Sequence, residues 1–263
     1  MKHPIFNPEW SELVKAVYTH DMDEMWDASR APHLFNCYHA DLDRYLCLAG
    51  TVPLRILDVG CAQGTLALLL AEIGHQVTAV DLRPDFLDYA RSRYEKGAIE
   101  FFQGNAMDLD LSGAFDLIFS NQILEHLVYP VDMLRGLAKR LVPGGRLVAT
   151  TPNGRYFKSR LPSYTELGDV SQYEDRQFFP DGDQHFFAYT AEELQTIFSC
   201  AGFRSIDVIP YASPWITGHV KFRYLHGRVP PGGLRLMDRM LLGIPCLRSR
   251  LAYQLMVIGK AEE

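Results

Sequence analysis

The chain has 263 residues, 48% apolar and 22% charged, which excludes a disordered or fibrous protein and suits one α/β domain with some decoration. No stretch approaches the roughly 18 consecutive apolar residues of a membrane span, and no cationic flank leads into an apolar leader, so neither a spanning helix nor a signal peptide is expected. Five cysteines, at 37, 47, 61, 200 and 246, are odd in number and form no CxxC pair, which argues against a disulfide framework or zinc site and for a reducing, cytoplasmic setting. The net charge of −6 makes no general case for nucleic-acid binding. It is unevenly spread: residues 211–250 hold seven Lys or Arg against the single acid Asp238, a local +6 that leaves −12 on the rest.

In chain order, residues 1–50 read as a helical N-terminal cap. Pro8-Glu9-Trp10-Ser11 opens a short helix, and Phe35, Tyr38, Leu42, Tyr45 and Leu46 define one face of a second that stops at Gly50. The cap is expected to cover one sheet edge, and it also suits the cover of a ligand cleft. Regular β/α alternation follows over 51–153: strand 54–59, helix 65–73, strand 76–81, helix 84–94 opened by Pro84, strand 99–102, and the nearly all-apolar strand 115–119. A helix over 131–141 leads through a turn at Pro143-Gly144-Gly145 into strand 146–149. Residues 152–189 form an aperiodic insertion of the length used for lids and binding loops. Residues 190–263 supply a helix opened by the capping box Thr190–Glu193, a strand 205–210, a second, basic insertion 211–252, and a last strand 253–258. This alternation predicts a mostly parallel sheet with helices on both faces, in one domain, with both insertions on the rim where such sheets bind ligands.

The stretch Ile56-Leu57-Asp58-Val59-Gly60-Cys61-Ala62-Gln63-Gly64-Thr65 is a strand, a glycine turn and a helix start, the geometry that presents backbone N–H groups to a ligand. Gly60 permits the sharp turn and Gly64 the close start of the helix. Ala62 stands where a dinucleotide site has the glycine that admits a pyrophosphate, which argues against a nicotinamide or flavin oxidoreductase. Asp81, at the end of the second strand, suits the two ribose hydroxyls. Together these residues read as a nucleoside site without a pyrophosphate.

With Asn105-Ala106, Phe115-Asp116-Leu117-Ile118, Ser120-Asn121-Gln122-Ile123-Leu124-Glu125-His126 and Leu141-Val142-Pro143-Gly144-Gly145 added, residues 50–153 resemble the class I methyltransferases that use S-adenosylmethionine (SAM), in the small-molecule branch that includes the ubiquinone-pathway O-methyltransferases. Glu192-Glu193-Leu194 to Ala201-Gly202-Phe203 resembles the late helix and strand of that family. The resemblance implies a Rossmann-like seven-stranded sheet in the order 3-2-1-4-5-7-6 with the last strand antiparallel, and insertions after strands 5 and 6. It implies that Asp58, Gly60, Cys61, Ala62, Gly64, Asp81, Leu82, Asn105, Ala106, Asn121 and Gln122 hold SAM.

Methyl transfer asks the protein chiefly for alignment and desolvation. A hydroxyl acceptor must also lose a proton, for which histidine is suited near neutral pH. His126 and His185 are the candidate catalytic residues. Relatives in this branch can hold a divalent ion between a Glu-x-x-Glu-His segment and a later histidine. Here Gln122 occupies the first of those positions, so no metal is expected, and Glu125, His126 and His185 are what remains of the set. Asp181 and Asp183 suit either orienters of His185 or loop-tip turns.

The rings Tyr156, Phe157, Tyr164, Tyr173, Phe178, Phe179, Phe186, Phe187 and Tyr189 read equally as satellite packing or as an apolar acceptor pocket. The basic insertion reads as a solvated helix, a site for an anionic acceptor, contact with an anionic membrane, or a homodimer interface. The expected activity is methyl transfer from SAM to a small-molecule acceptor, at a hydroxyl oxygen of an apolar or aromatic metabolite. The alternatives are N- or C-methylation, a sugar or lipid-linked anionic acceptor, or a SAM-binding accessory protein without catalysis.

Overall fold

The computed structural model describes residues 1–109, 111, 113–176, 185 and 187–262. In chain order the elements are α1 (Glu12–Asp21), α2 (Pro32–Ala49), β1 (Arg55–Val59), α3 (Thr65–Glu72), β2 (Gln76–Asp81), α4 (Pro84–Arg93), β3 (Ala98–Gln103) and β4 (Phe115–Asn121). There follow α5 (Pro130–Ala138), β5 (Leu141–Pro152), α6 (Ala191–Cys200), β6 (Arg204–Tyr211), α7 (Pro214–Thr217), α8 (Pro231–Leu242), α9 (Pro245–Leu251) and β7 (Gln254–Lys260). The seven strands run in the order β3-β2-β1-β4-β5-β7-β6, as expected. Internal contacts gather the chain into two compact units, residues 1–106 with 212–240 and residues 107–211 with 241–263.

In the first unit β1, β2 and β3 pair in parallel. Their core is apolar because these strands face helices, and Ile56, Leu57, Val59 and Ala79 are fully buried. Helix α1 begins where Ser11 accepts the Val14 N–H, and α2 stops at Gly50 with φ of 72°. The cap corrects one expectation. Its helices pack on α4 and α3 rather than along a sheet edge, because aromatic residues on the two surfaces meet: Trp10 lies edge-on to Tyr89 at 5.5 Å. Between α1 and α2 the chain makes one wide π-type turn, Met22–Trp26.

In the second unit β4 and β5 are parallel, and β7 lies antiparallel between β5 and β6. Leu117, Ile118 and Phe119 of β4 are inaccessible to solvent. A second correction concerns Pro143-Gly144-Gly145, read above as a turn before the strand. The strand runs from Leu141 straight through these residues. Phe115 pairs with Leu141 and Leu117 already pairs with Arg146, so the extra residues form a bulge. A positive φ of 74° at Gly144 lets the strand bend without breaking. Helix α6 opens with the expected capping box, Thr190 and Glu193 each satisfying the other's backbone N–H. The second insertion, for which a solvated helix is one of the readings above, carries α7, α8 and α9. Asn153 clamps its end, donating to the carbonyls of Ser249 and Ala252 at 2.7 Å each.

Candidate active site

In the first unit β1 delivers Asp58 and then turns at Gly60 (φ 67°), Ala62 (φ 47°) and Gly64 (φ 76°). A side chain at Gly64 would meet the Ala90 Cβ at 2.6 Å, so the glycine is needed for α3 to pack against α4 as well as for its backbone angle. Ala62 tolerates its left-handed conformation because its N–H donates to Asp81 Oδ2 at 2.9 Å. Asp81 also accepts the Arg83 N–H at 2.9 Å through Oδ1, and its carbonyl takes the Gly104 N–H at 3.1 Å. The Asp81 carboxylate thus ties the glycine turn to the end of β2, and its backbone carbonyl ties in the turn after β3. Each oxygen retains a lone pair for a ligand hydroxyl.

Asp58 is buried, and its carboxyl is pushed up to about 7 by that burial and by the charge of Asp81. Burial likewise raises the Cys61 thiol, with the two aspartates adding to it. Leu82 is exposed, while Asn105 and Ala106 are half-buried just after β3. All nine of the expected ligand-holding residues of this unit therefore lie on three consecutive strand ends.

Sequence reasoning missed what holds the turn from below. Arg93, at the end of α4, is fully buried and donates to the Gln63 carbonyl at 2.8 Å and to Thr65 Oγ1 at 3.0 Å. Its guanidinium pairs with Asp21, also fully buried, at 3.0 Å. Asp21 in turn accepts from Tyr89 at 2.9 Å and from the Trp26 indole at 3.0 Å. The available signal was position: Phe86, Ala90 and Arg93 fall on one face of α4 at helical spacing. The cap reaches the same turn a second time through Tyr38, whose hydroxyl accepts from the Gln63 amide at 3.4 Å.

In the second unit β4 ends in Asn121 and Gln122. Thr150 Oγ1 donates to Asn121 Oδ1 at 3.1 Å. Gln122 takes a positive φ of 53° and binds the Thr150 carbonyl through its backbone. Its amide meets Gln254 at 2.9 Å and, with the nitrogen turned toward Glu125, donates to Glu125 Oε1 at 3.1 Å. One helical turn, Leu124–His126, then places Glu125 inward. Glu125 is inaccessible, and its Oε2 has no partner among the described residues. Burial pushes its carboxyl up to about 8.

His126 and His185 stand edge to face with ring centroids 4.8 Å apart. The donor atoms of Glu125, His126 and His185 all lie within 4.8 Å of one another. The donor set, one carboxylate and two imidazoles with an orphaned carboxylate oxygen, fits a divalent ion of the zinc or first-row type. Asp181, Asp183, Phe178, Phe179 and Phe186 lie outside the described residues. Of the remaining loop rings, Phe187 and Tyr189 are buried against Tyr164, Tyr156 packs on Tyr253, and Phe157 is exposed. Those contacts are satellite packing.

Glu125 gives a signed pH dependence. Its folded value, about 8, lies above the ordinary 4.5, so the native state holds this proton more tightly than the unfolded chain. The contribution is complete below about pH 4.5 and is lost as pH rises through about 8. Relative to the difference at low pH, Glu125→Gln is therefore expected to gain up to about 5 kcal/mol on the wild type as pH rises between those limits. Urea melts of both proteins across the window measure the difference, and parallel profiles contradict it.

Residues 57–149 match the family model described as a methyltransferase domain. A ubiquinone biosynthesis O-methyltransferase of Xanthomonas euvesicatoria pv. vesicatoria is 30% identical over 221 residues, which cover 78% of this chain and 89% of that one. Its counterpart in Xanthomonas oryzae pv. oryzae is 32% identical over 169 residues, 61% of this chain and 67% of that one. The fold is shared with the N-methyltransferase NodS of Bradyrhizobium japonicum bound to S-adenosyl-L-homocysteine, with a TM-score of 0.54, 18% identity, and 92% and 93% of the two chains covered. It is also shared with phosphoethanolamine N-methyltransferase 2 of Haemonchus contortus bound to SAM, with a TM-score of 0.58, 18% identity, and 92% and 59% covered.

Proposed function

From the premise that this chain belongs to the class I SAM-dependent methyltransferases, we propose that it methylates a hydroxyl oxygen of a small apolar or aromatic metabolite. The observation that carries this reading is the cluster of Glu125, His126 and His185. Catalysis on an amine needs no base of this kind once the amine is neutral, whereas a hydroxyl must shed its proton as the new bond forms. The relatives named as O-methyltransferases support the same acceptor atom.

SAM, when bound, supplies an electrophilic methyl group on a sulfonium. The backbone N–H groups of the Gly60–Gly64 turn and the Asp81 carboxylate bind and orient the nucleoside end. Within the second unit Asn121 is fixed by Thr150 and Gln122 by Gln254, the two residues that the resemblance assigns to the sulfur end of SAM. His185 or His126 accepts the acceptor's hydroxyl proton on a ring nitrogen, and the neighbouring ring and Glu125 steady the resulting imidazolium. Glu125, His126 and His185 would also hold a divalent ion, which supplies Lewis acidity toward a hydroxyl and lowers its pKa. Gln122 takes no part in that donor set and instead anchors Glu125.

Calorimetry with SAM and S-adenosylhomocysteine, with and without magnesium, zinc or EDTA, is the first test, followed by labelled methyl transfer to catechol and to a primary amine of similar size. Micromolar binding of both nucleosides, transfer to the catechol, and its loss in His185→Ala are expected. Metal uptake should release protons and tighten from about pH 6 to about pH 8, since Glu125 must ionise to bind. Transfer to the amine alone overturns the acceptor assignment. Failure to bind either nucleoside overturns the site.

A further inference from the structure

We propose that the exposed face of α8 docks the protein on the surface of an anionic lipid bilayer. The argument begins with charge. Between residues 212 and 240 the cations are Lys221, Arg223, Arg228, Arg235 and Arg239, and the one acid, Asp238, is buried and spent on the Ser213 N–H at 2.7 Å. The cationic stretch belongs to a chain that is acidic elsewhere, so an anionic surface attracts this region and repels the remainder.

The helix is then inverted relative to a solvated one. It is held by Leu234, fully buried, and by Asp238, 7% exposed, while Leu236, Met237 and Met240 are 54%, 38% and 68% exposed. At about 100° per residue these three side chains occupy one arc of about 100° on the helix. Arg235 and Arg239 follow on its border, where long stems lie along apolar surface with the guanidinium at the polar edge. Arg235 is tethered at the surface to Asp43 at 2.6 Å, which fixes the orientation of the arc. Elsewhere in the same insertion Val220 and Tyr224 are also exposed, with the Arg223 guanidinium 5.1 Å from the Tyr224 ring.

An apolar arc with a cationic border is the pattern of a helix lying in a lipid interface. A nucleic acid has no use for the apolar centre. A second copy of the chain is the poorer fit, because a stable protein interface needs about 20–30 residues a side and this arc offers three large apolar side chains. Among the described residues no helix is long and apolar enough to cross a membrane, so the association is peripheral and reversible.

The test is flotation of the 263-residue protein with vesicles rich in phosphatidylglycerol and with vesicles of phosphatidylcholine alone. Flotation with the anionic vesicles only, weakened by salt, is expected. Arg239→Gln should bind about fivefold more weakly, and the double variant Leu236→Gln with Met240→Gln about tenfold or more weakly. Both substitutions fall on exposed positions and use a good helix former, and thermal melts confirm that the variants are folded. The proposal is overturned if the wild type does not float, if the double variant floats as well as the wild type, or if sedimentation reveals a dimer that the double variant dissolves.

Discussion

Arg93→Ala is expected to lower the unfolding free energy by about 3–5 kcal/mol and to weaken SAM binding in the same protein. Both members of the Arg93–Asp21 pair are inaccessible to solvent, and deletion of the cation leaves a buried carboxylate with only neutral donors, Tyr89, Trp26 and Thr65. The Coulomb attraction itself contributes less than this cost, since both ions lost their water to form it. A double replacement, Arg93→Met with Asp21→Leu, should therefore recover part of the stability. It should not recover SAM affinity, because the guanidinium also holds the Gln63 carbonyl inside the glycine turn. Denaturant melts and calorimetry on the two variants separate the effects. Equal SAM affinity in wild type and double variant would show that the turn keeps its shape without Arg93.

The second large effect is expected at Asp81. Asp81→Ala should raise the dissociation constant for SAM about 100-fold, the loss of two hydrogen bonds to a charged acceptor, with a smaller change in stability. The side chain fixes Ala62 in a conformation that an alanine does not adopt unaided, and it fixes Arg83 at the same time. Without it the turn relaxes before a ligand arrives, and binding must restore it. Asp81→Asn retains one oxygen acceptor and should fall between the two. An independent readout is Asp58, whose carboxyl is held near 7 partly by the charge of Asp81. Either substitution should move the Asp58 titration toward the ordinary carboxylate range, visible in its carboxyl carbon resonance. If affinity falls and that resonance does not move, the loss arises from the turn rather than from the electrostatics.

What the sequence revealed, and what it withheld, follows from the range of the interactions. The strands and their helices were legible because each is specified by its own residues: apolar runs such as Leu117-Ile118-Phe119, caps such as Thr190–Glu193, stops such as Gly50. Gly64 was legible as a tight position, though its neighbour proved to be Ala90 of α4. The turn Pro143-Gly144-Gly145 was misread because those residues break a strand in isolation, whereas pairing with β4 at Leu141 before them and at Arg146 after them carries β5 through as a bulge. Arg93 was invisible because an arginine on a helix reads as solvated unless its partner is known, and Asp21 lies 72 residues earlier. Gln122 was read as a lost ligand. Its partner Gln254 is 132 residues away, and only the fold reveals that the amide braces Glu125. The apolar residues of α8 were seen, but sequence periodicity cannot tell which face of an amphipathic helix is turned outward.

The place of β7 in the sheet has a consequence for how the chain is made. Strand β7 is synthesised after the six other strands of the sheet, and it enters between β5 and β6. Until residues 254–260 have been made, both neighbours present unpaired backbone edges, and β5 is a twelve-residue strand. Such edges invite pairing with other chains. A nascent chain stalled or cleaved before Gln254 would thus expose two adhesive strands at once and be a substrate for chaperones and proteases, while completion of one short strand closes both edges in a single step.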